Sequence, residues 1–377
     1  MRGAFQIARL FDIPVRVHWS FFLLPLFIAW SNERQGSTWN DTAWSFLFLA
    51  ALFVCVVLHE FGHILMARRF GVGTKDIILS PIGGIARLYS LPEKPGQEFQ
   101  VALAGPMVNV VIAALLGPLA WWFWKDELYV ILAAFFESPQ AGGEPSGSFL
   151  DYFIPGLFLL NIALAVFNLL PAFPMDGGRI FRALLSYRFT RLKATRIAAR
   201  VGQVVALLLT VYSFQEGSYL TSLIGVFIFF MAQMEYRNVK TDHALSTLLV
   251  GEVFDRGYSG LTLSDTLERA LALSLEKREL DFLVFQEDGD WVGVLTSRQL
   301  ARASREPALR LRPVKEFYKP VWAGLTPTDT LKAAMERFYY TGSPLLPVFE
   351  GKEIIGTVSS ERLTQGLKTL FRKKADA

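Results

Sequence analysis

The 377-residue chain contains four histidines, and two of them fall in one short run, His59-Glu60-Phe61-Gly62-His63. On a helix, residues i and i+4 share a face about 6 Å apart along the axis. That spacing lets both imidazoles bind one zinc ion, with the intervening Glu60 placed to take a proton from an attacking water. The run ends the almost wholly apolar stretch 43–58. Ionisable groups at the edge of such a stretch are costly and default to function. The bland reading is an interfacial His/Glu cluster that marks a helix end.

A catalytic zinc takes three protein ligands and keeps one position open. Of the remaining histidines, His243 lies beyond the last apolar stretch and His18 stands beside Trp19 at an interface, and both read as structural. Asp176 is the better third ligand. It follows Pro171-Ala172-Phe173-Pro174 and precedes Gly177-Gly178. Two prolines three apart break a helix, and broken backbone within a membrane is tolerated only where it lines protein or a polar cavity. An N-cap role for a helix over 177–188 is the alternative for Asp176.

The elements that must position these residues are membrane spans. Hydrophobic residues make up 52% of the chain and charged residues only 19%, against about 25% in soluble domains. Apolar runs long enough to approach a 30 Å hydrocarbon core predict spans near 14–31, 42–66, 99–124, 153–173, 198–215 and 219–236. The first is short unless it includes residues 14–18. Seven cations lie between Arg179 and Arg200, whereas 32–41 holds only Arg34 and 125–152 only Lys125. With six spans, this bias puts both termini in the cytoplasm of a multi-pass cell-membrane protein. The net charge of +4 reports that topology, and no nucleic-acid partner is expected. The single cysteine, Cys55, excludes an internal disulfide framework and a thiolate zinc cluster. Between spans two and three, two short apolar runs flank Gly83-Gly84, predicting a β-hairpin over 80–89 able to enter the membrane edge.

The expected domains are a membrane domain, 1–236, a linker, 237–250, and a water-facing α/β domain, 251–377. The last is a repeat. Leu261-Thr-Leu-Ser-Asp265-Thr-Leu267 returns 64 residues later as Leu325-Thr-Pro-Thr-Asp329-Thr-Leu331, and Gly293-Val-Leu-Thr296-Ser297 returns 63 later as Gly356-Thr-Val-Ser359-Ser360. Units 251–310 and 311–377 would each bury a sheet face against the other.

His59-Glu60-x-x-His63, Gly105-x-x-x-Asn109 and Asn168-x-x-Pro171-x-x-Pro174-x-Asp176-Gly177 together resemble the site-2 protease family of intramembrane zinc metalloproteases. The repeat resembles a tandem pair of CBS modules, as in the sporulation-type branch. The resemblance implies a polytopic α-helical membrane protein with a C-terminal α/β CBS pair. It implies one zinc per subunit on His59, His63 and Asp176, Glu60 as general base, and Asn109 and Asn168 beside substrate or oxyanion. Its substrates would be membrane-spanning segments of proteins, or signal peptides. The hairpin residues Ile82, Gly83, Gly84 and Ile85 would hold substrate extended. Adenine nucleotide at the CBS pair would use Thr296 and Ser359, weakly, because Gln299 and Arg362 stand where ribose-binding Asp is usual. The pair could also join two copies of the chain as a homodimer. A zinc-binding transporter or channel with a nucleotide-sensing tail is the competing reading. It would favour acids or histidines along a pathway, and the last two spans offer only Glu216 and Glu235 at their ends.

Overall fold

A computed structural model describes residues 3–81, 83–89, 94–124 and 149–363, and it resolves into two compact units, Met1–Asn238 and Val239–Ala377.

The first unit opens with a four-stranded sheet in the order β1-β2-β3-β4: β1 (Ala4–Leu10), β2 (Ile13–His18), β3 (Thr74–Ser80) and β4 (Gly83–Leu88). Residues 14–18 are therefore strand and not the start of a span. Ile13-Pro14-Val15-Arg16-Val17-His18 alternates apolar and polar, and Ile13, Val15 and Val17 are buried. That period of two suits a half-buried strand. The run pairs in parallel with β3, Val15 opposite Ile77 and Val17 opposite Leu79. The expected hairpin is β3–β4, with Ser80 opposite Gly83. Gly83 and Gly84 thus begin β4 and do not form its turn, and Ile82 lies outside the described residues. Asp76, buried on β3, accepts from Arg87 Nε of β4 at 2.6 Å and lies 3.5 Å from Arg16 of β2. The Arg87 hydrogen bonds hold the Asp76 carboxyl below the usual carboxylate range. The apolar face of the sheet packs on Phe53, Phe61 and Ile64, which belong to the helix carrying the histidines.

That helix is α2 (Trp39–Arg69), preceded by a shorter α1 (Leu23–Arg34). Thr38 caps α2 in a reciprocal box with Asp41. There follow α3 (Pro95–Trp124), α4 (Phe149–Leu169), α5 (Asp176–Ser186), α6 (Arg191–Gln215) and α7 (Tyr219–Thr247). Among the described residues four helices, α2, α3, α6 and α7, are long and apolar enough to cross a membrane, and α4 has 21 apolar-rich residues. The 12 residues of α1 and its four-residue 3-10 lead, Trp19–Phe22, reach about 26 Å, a little under the hydrocarbon core. Helix α4 stops at Leu169, ahead of Pro171. The bend to α5 contains a cis Phe173–Pro174 bond and is buried at Ala172, Phe173 and Met175. Small buried residues on α6, Ala198, Ala199, Gly202 and Ala206, let the helix approach that bend. The expected linker 237–250 is helical as far as Thr247.

A fully buried Arg182 ties α5 to its neighbours. Its Nε donates to Glu98 of α3 at 2.8 Å, its Nη1 donates to Glu235 of α7 at 2.7 Å, and its guanidinium lies over the Phe173 ring. Removing one partner of a buried ion pair leaves uncompensated charge and costs about 3–5 kcal/mol.

The second unit contains β5 (Gly260–Thr262), α8 (Leu267–Lys277), β6 (Phe282–Phe285), β7 (Trp291–Leu295), α9 (Ser297–Arg305), β8 (Lys319–Pro320), α10 (Leu331–Thr341), β9 (Leu345–Glu350) and β10 (Glu353–Ser359). The repeated turns close alike. Asp265 accepts from Thr262 N–H at 2.7 Å and Asp329 accepts from Thr326 N–H at 2.6 Å. Thr266 and Thr330 then cap α8 and α10. Strand β8 joins the sheet of the first repeat, giving the order β5-β6-β7-β8, and β9 pairs with β10. One core cluster draws on both repeats, from Leu283 and Val294 to Leu346 and Val358.

Arg182→Met is expected to destabilise the first unit by about 3–5 kcal/mol, measured by denaturant unfolding in detergent. Glu235→Gln, which leaves the Arg182–Glu98 contact in place, should cost much less.

Candidate metal centre

His59 and His63 lie one turn apart in the last third of α2, and Asp176 opens α5, 117 positions beyond His59. Their side chains meet. His63 Nε2 is 3.1 Å from His59 Nε2, and Asp176 Oδ2 is 3.2 Å from His59 Nε2 and 3.1 Å from His63 Nε2. All three residues are buried, and they form the metal-capable group found among the described residues. The far nitrogens are tethered. His63 Nδ1 contacts the Val101 carbonyl at 2.7 Å, and His59 Nδ1 contacts Asn109 Oδ1 at 2.5 Å. A carbonyl partner places the ring hydrogen on Nδ1 and frees the Nε2 lone pair. Two free imidazole lone pairs and a carboxylate oxygen, all about 3 Å apart, repel one another unless a cation lies between them. Two nitrogens and one oxygen with tethered rings fit zinc.

Two glycines give the neighbouring chain its clearance. A Cβ on Gly105 of α3 would collide with His63 Nε2 and stand 2.7 Å from His59 Nε2. A Cβ on Gly177 would strike the Leu169 and Leu170 carbonyls at the end of α4, so glycine there lets α5 start directly behind the bend. Asp176 is the first helical residue of α5. The N-cap is Met175, which makes no side-chain cap, so the carboxylate is not used as an N-cap.

Glu60 is half-buried, and its Oε2 accepts the Ala86 N–H of β4 at 2.9 Å. That N–H points away from β3, along the outer edge of the sheet. Gly84 packs on the Glu60 side chain, where a Cβ would meet Cγ at 2.9 Å, and Ile85 is exposed. Asn109 is fully buried behind His59, an outer partner of a ring and not a wall of an open site. Asn168 is half-buried in the last turn of α4. His18 Nδ1 caps the 3-10 turn through Ser20, and His243 is exposed on α7; neither joins the cluster. The motifs did not single out Asn161, whose signal was a lone amide in an apolar run, or Val101, which acts through its backbone alone.

In the second unit a cavity of about 850 Å³ is lined by Thr296, Ser297, Arg298, Lys319 and Ser360. Gln299 also lines the cavity, with both ends of its amide engaged. Its Oε1 accepts Thr296 N–H at 2.6 Å, and its Nε2 donates to the Phe317 carbonyl. Arg362 pairs with Asp255, and Ser359 Oγ accepts the Arg362 N–H at 3.1 Å.

A helical membrane bundle with a buried His-His-Asp cluster and an adjacent glutamate has the makings of a membrane metallopeptidase. Comparison with known proteins agrees. Peptidase family M50 matches residues 47–209. A zinc metalloprotease of Methanocaldococcus jannaschii is 31% identical over 295 residues, covering 78% of each chain. The solved site-2 protease of that organism is 33% identical and covers 62% of this chain and 95% of its own, with a TM-score of 0.42. A CBS-domain protein from Agrobacterium tumefaciens is 17% identical over 29% of this chain and 84% of its own, with a TM-score of 0.27. The chain belongs to peptidase family M50, the site-2 proteases. It is an intramembrane zinc metalloprotease, and the transporter reading is not favoured.

Gly105→Ala should leave a folded protein, since alanine suits a helix, yet put a methyl group against both imidazoles. Zinc content measured after purification should fall at least tenfold. A fully zinc-loaded Gly105→Ala would move the metal elsewhere.

Proposed function

We propose that His59, His63 and Asp176 hold one zinc per subunit, that Glu60 is the general base, and that the substrate is a locally unwound membrane-spanning segment. The observation that carries this reading is the meeting of three ligand atoms from α2 and α5 with both far imidazole nitrogens already tethered. Held by His59, His63 and Asp176, zinc would supply Lewis-acid polarisation of the scissile carbonyl and would lower the pKa of the attacking water toward 7. Glu60 accepts that water's proton and delivers it to the leaving amine. Its hydrogen bond from Ala86 orients the carboxylate and links the base to the edge of β4. Asn109 is assigned to holding the ring of His59, and Asn168 to substrate or the developing oxyanion.

A substrate helix hides its peptide groups in its own hydrogen bonds, so it must open before it is cut. An opened strand needs replacement partners. The outer edge of β4, from Gly83 and Gly84 through Ile85 to Ala86, can supply them by strand addition beside Glu60, the Ala86 N–H excepted because it donates to Glu60. Membrane proteins or signal peptides are the substrate class, and the cytoplasmic side carries the entrance and both termini.

The CBS pair is assigned to tuning activity, through weak nucleotide binding near Thr296 or through pairing of two chains. All assigned groups of the chemistry precede residue 180. With Gln299 committed to Thr296 and Phe317, ribose recognition by an acid is missing from the first repeat, and Arg298 and Lys319 would favour the phosphate end of a ligand. Titration of the purified chain with AMP should show weak binding that Thr296→Ala reduces further.

Glu60→Gln should keep the zinc and lose cleavage of a co-expressed membrane substrate by at least 100-fold, the lower end expected for a general base. Wild-type cleavage by Glu60→Gln would overturn the assignment.

A further inference from the structure

His63 receives its tautomer from a backbone carbonyl directly, whereas His59 receives its tautomer from an asparagine side chain. An amide can face a ring with either its oxygen or its nitrogen, and the two ends demand opposite tautomers. Something must therefore decide which end of Asn109 faces His59.

We propose that Asn161 of α4 is that positioning residue. It is fully buried, like Asn109. Its Nδ2 donates to the Leu157 carbonyl at 2.8 Å and lies 3.4 Å from Cys55 Sγ. A carbonyl can only accept, so the nitrogen of Asn161 must be the end facing Leu157. Its Oδ1 is then left to accept from Asn109 Nδ2, at 2.9 Å. With its nitrogen so engaged, Asn109 presents Oδ1 to His59 Nδ1. That nitrogen carries the hydrogen, and Nε2 points its lone pair at His63 and Asp176. The relay starts at a backbone atom of α4, crosses α3 and ends on α2. Each site imidazole is thus set by a main-chain carbonyl, Val101 for His63 and Leu157, through two amides, for His59. The value of this device for metal binding rests on the assignment of His59 as a ligand.

Without the oxygen at position 161, Asn109 can rotate and offer its nitrogen to His59, which selects the Nε2–H ring and removes a ligand. Loss of such an outer partner lowers metal affinity by about 10–100-fold. The test uses the full chain in detergent, stripped of metal and labelled with 15N at histidine, with the His59 ring assigned by its loss in His59→Gln. The wild type should show the Nδ1–H tautomer at His59. Asn161→Leu should shift it toward Nε2–H and weaken zinc binding, measured by chelator competition, by about 10–100-fold. Asn161→Ser, whose hydroxyl stops short of Asn109, should do the same if the leucine variant does not fold. In an Asn109→Asp background, where position 109 has no N–H to misdirect, Asn161→Leu should cause no further loss. An unchanged His59 tautomer in Asn161→Leu, or equal zinc loss in both backgrounds, would overturn the relay and leave Asn161 as packing. A wild-type ring in the Nδ1–H form in a chain that binds no zinc would support the relay and overturn the metal assignment.

Discussion

Three acceptor atoms held about 3 Å apart are unfavourable company without a cation, and the first unit is organised around enforcing that closeness. The histidines need α2 to be helical across the site, because in a strand the two rings would share a face but lie about 13 Å apart, too far for one ion. The carboxylate needs the chain to turn sharply after α4, because Asp176 must enter from a different direction. Gly105 and Gly177 remove the atoms that would intrude, and the Val101 and Asn109 oxygens hold the rings so that neither can rotate its lone pair away. The motif is thus less a string of ligands than a string of ligands with its clearances and tethers.

The surroundings serve the same end. A bend inside lipid leaves backbone groups without partners unless protein covers them. Here the small residues of α6 close on the bend, and Arg182 clamps α5 to α3 and α7. The sheet is anchored on the apolar face of α2, which brings its free edge to Glu60. The sheet edge, Glu60 and both histidines are therefore referenced to one helix, α2, while Asp176 is held by α5, which Arg182 ties to its neighbours.

Much of this was legible in the residues. The i, i+4 histidines, the proline-broken segment before Asp176 and the internal repeat are local patterns with local physical meanings, and each was found where its spacing put it. The N-terminal strands were missed because the aromatic run after Trp19 dominates its window, although the alternation from Ile13 to His18 is strand-like. A Gly-Gly pair between apolar runs reads as the turn of a hairpin, whereas Gly84 is small because Glu60 packs against it.

The sequence by itself determined the chemistry available: two imidazoles, a carboxylate between them, one distant carboxylate, and an apolar frame with few other histidines or acids. Periodicity is a property of neighbours along the chain, so it survives without a fold. Only the tertiary structure decided the jobs of the amides. Asn109, Asn161 and Asn168 are the same residue in similar apolar settings, yet one holds a ring, one aims its neighbour, and one lies at the last turn of α4. Asn161 finds its carbonyl four positions back on its own helix, but which end of Asn109 faces His59 depends on atoms 50 and 52 positions away, and no spacing along the chain encodes that.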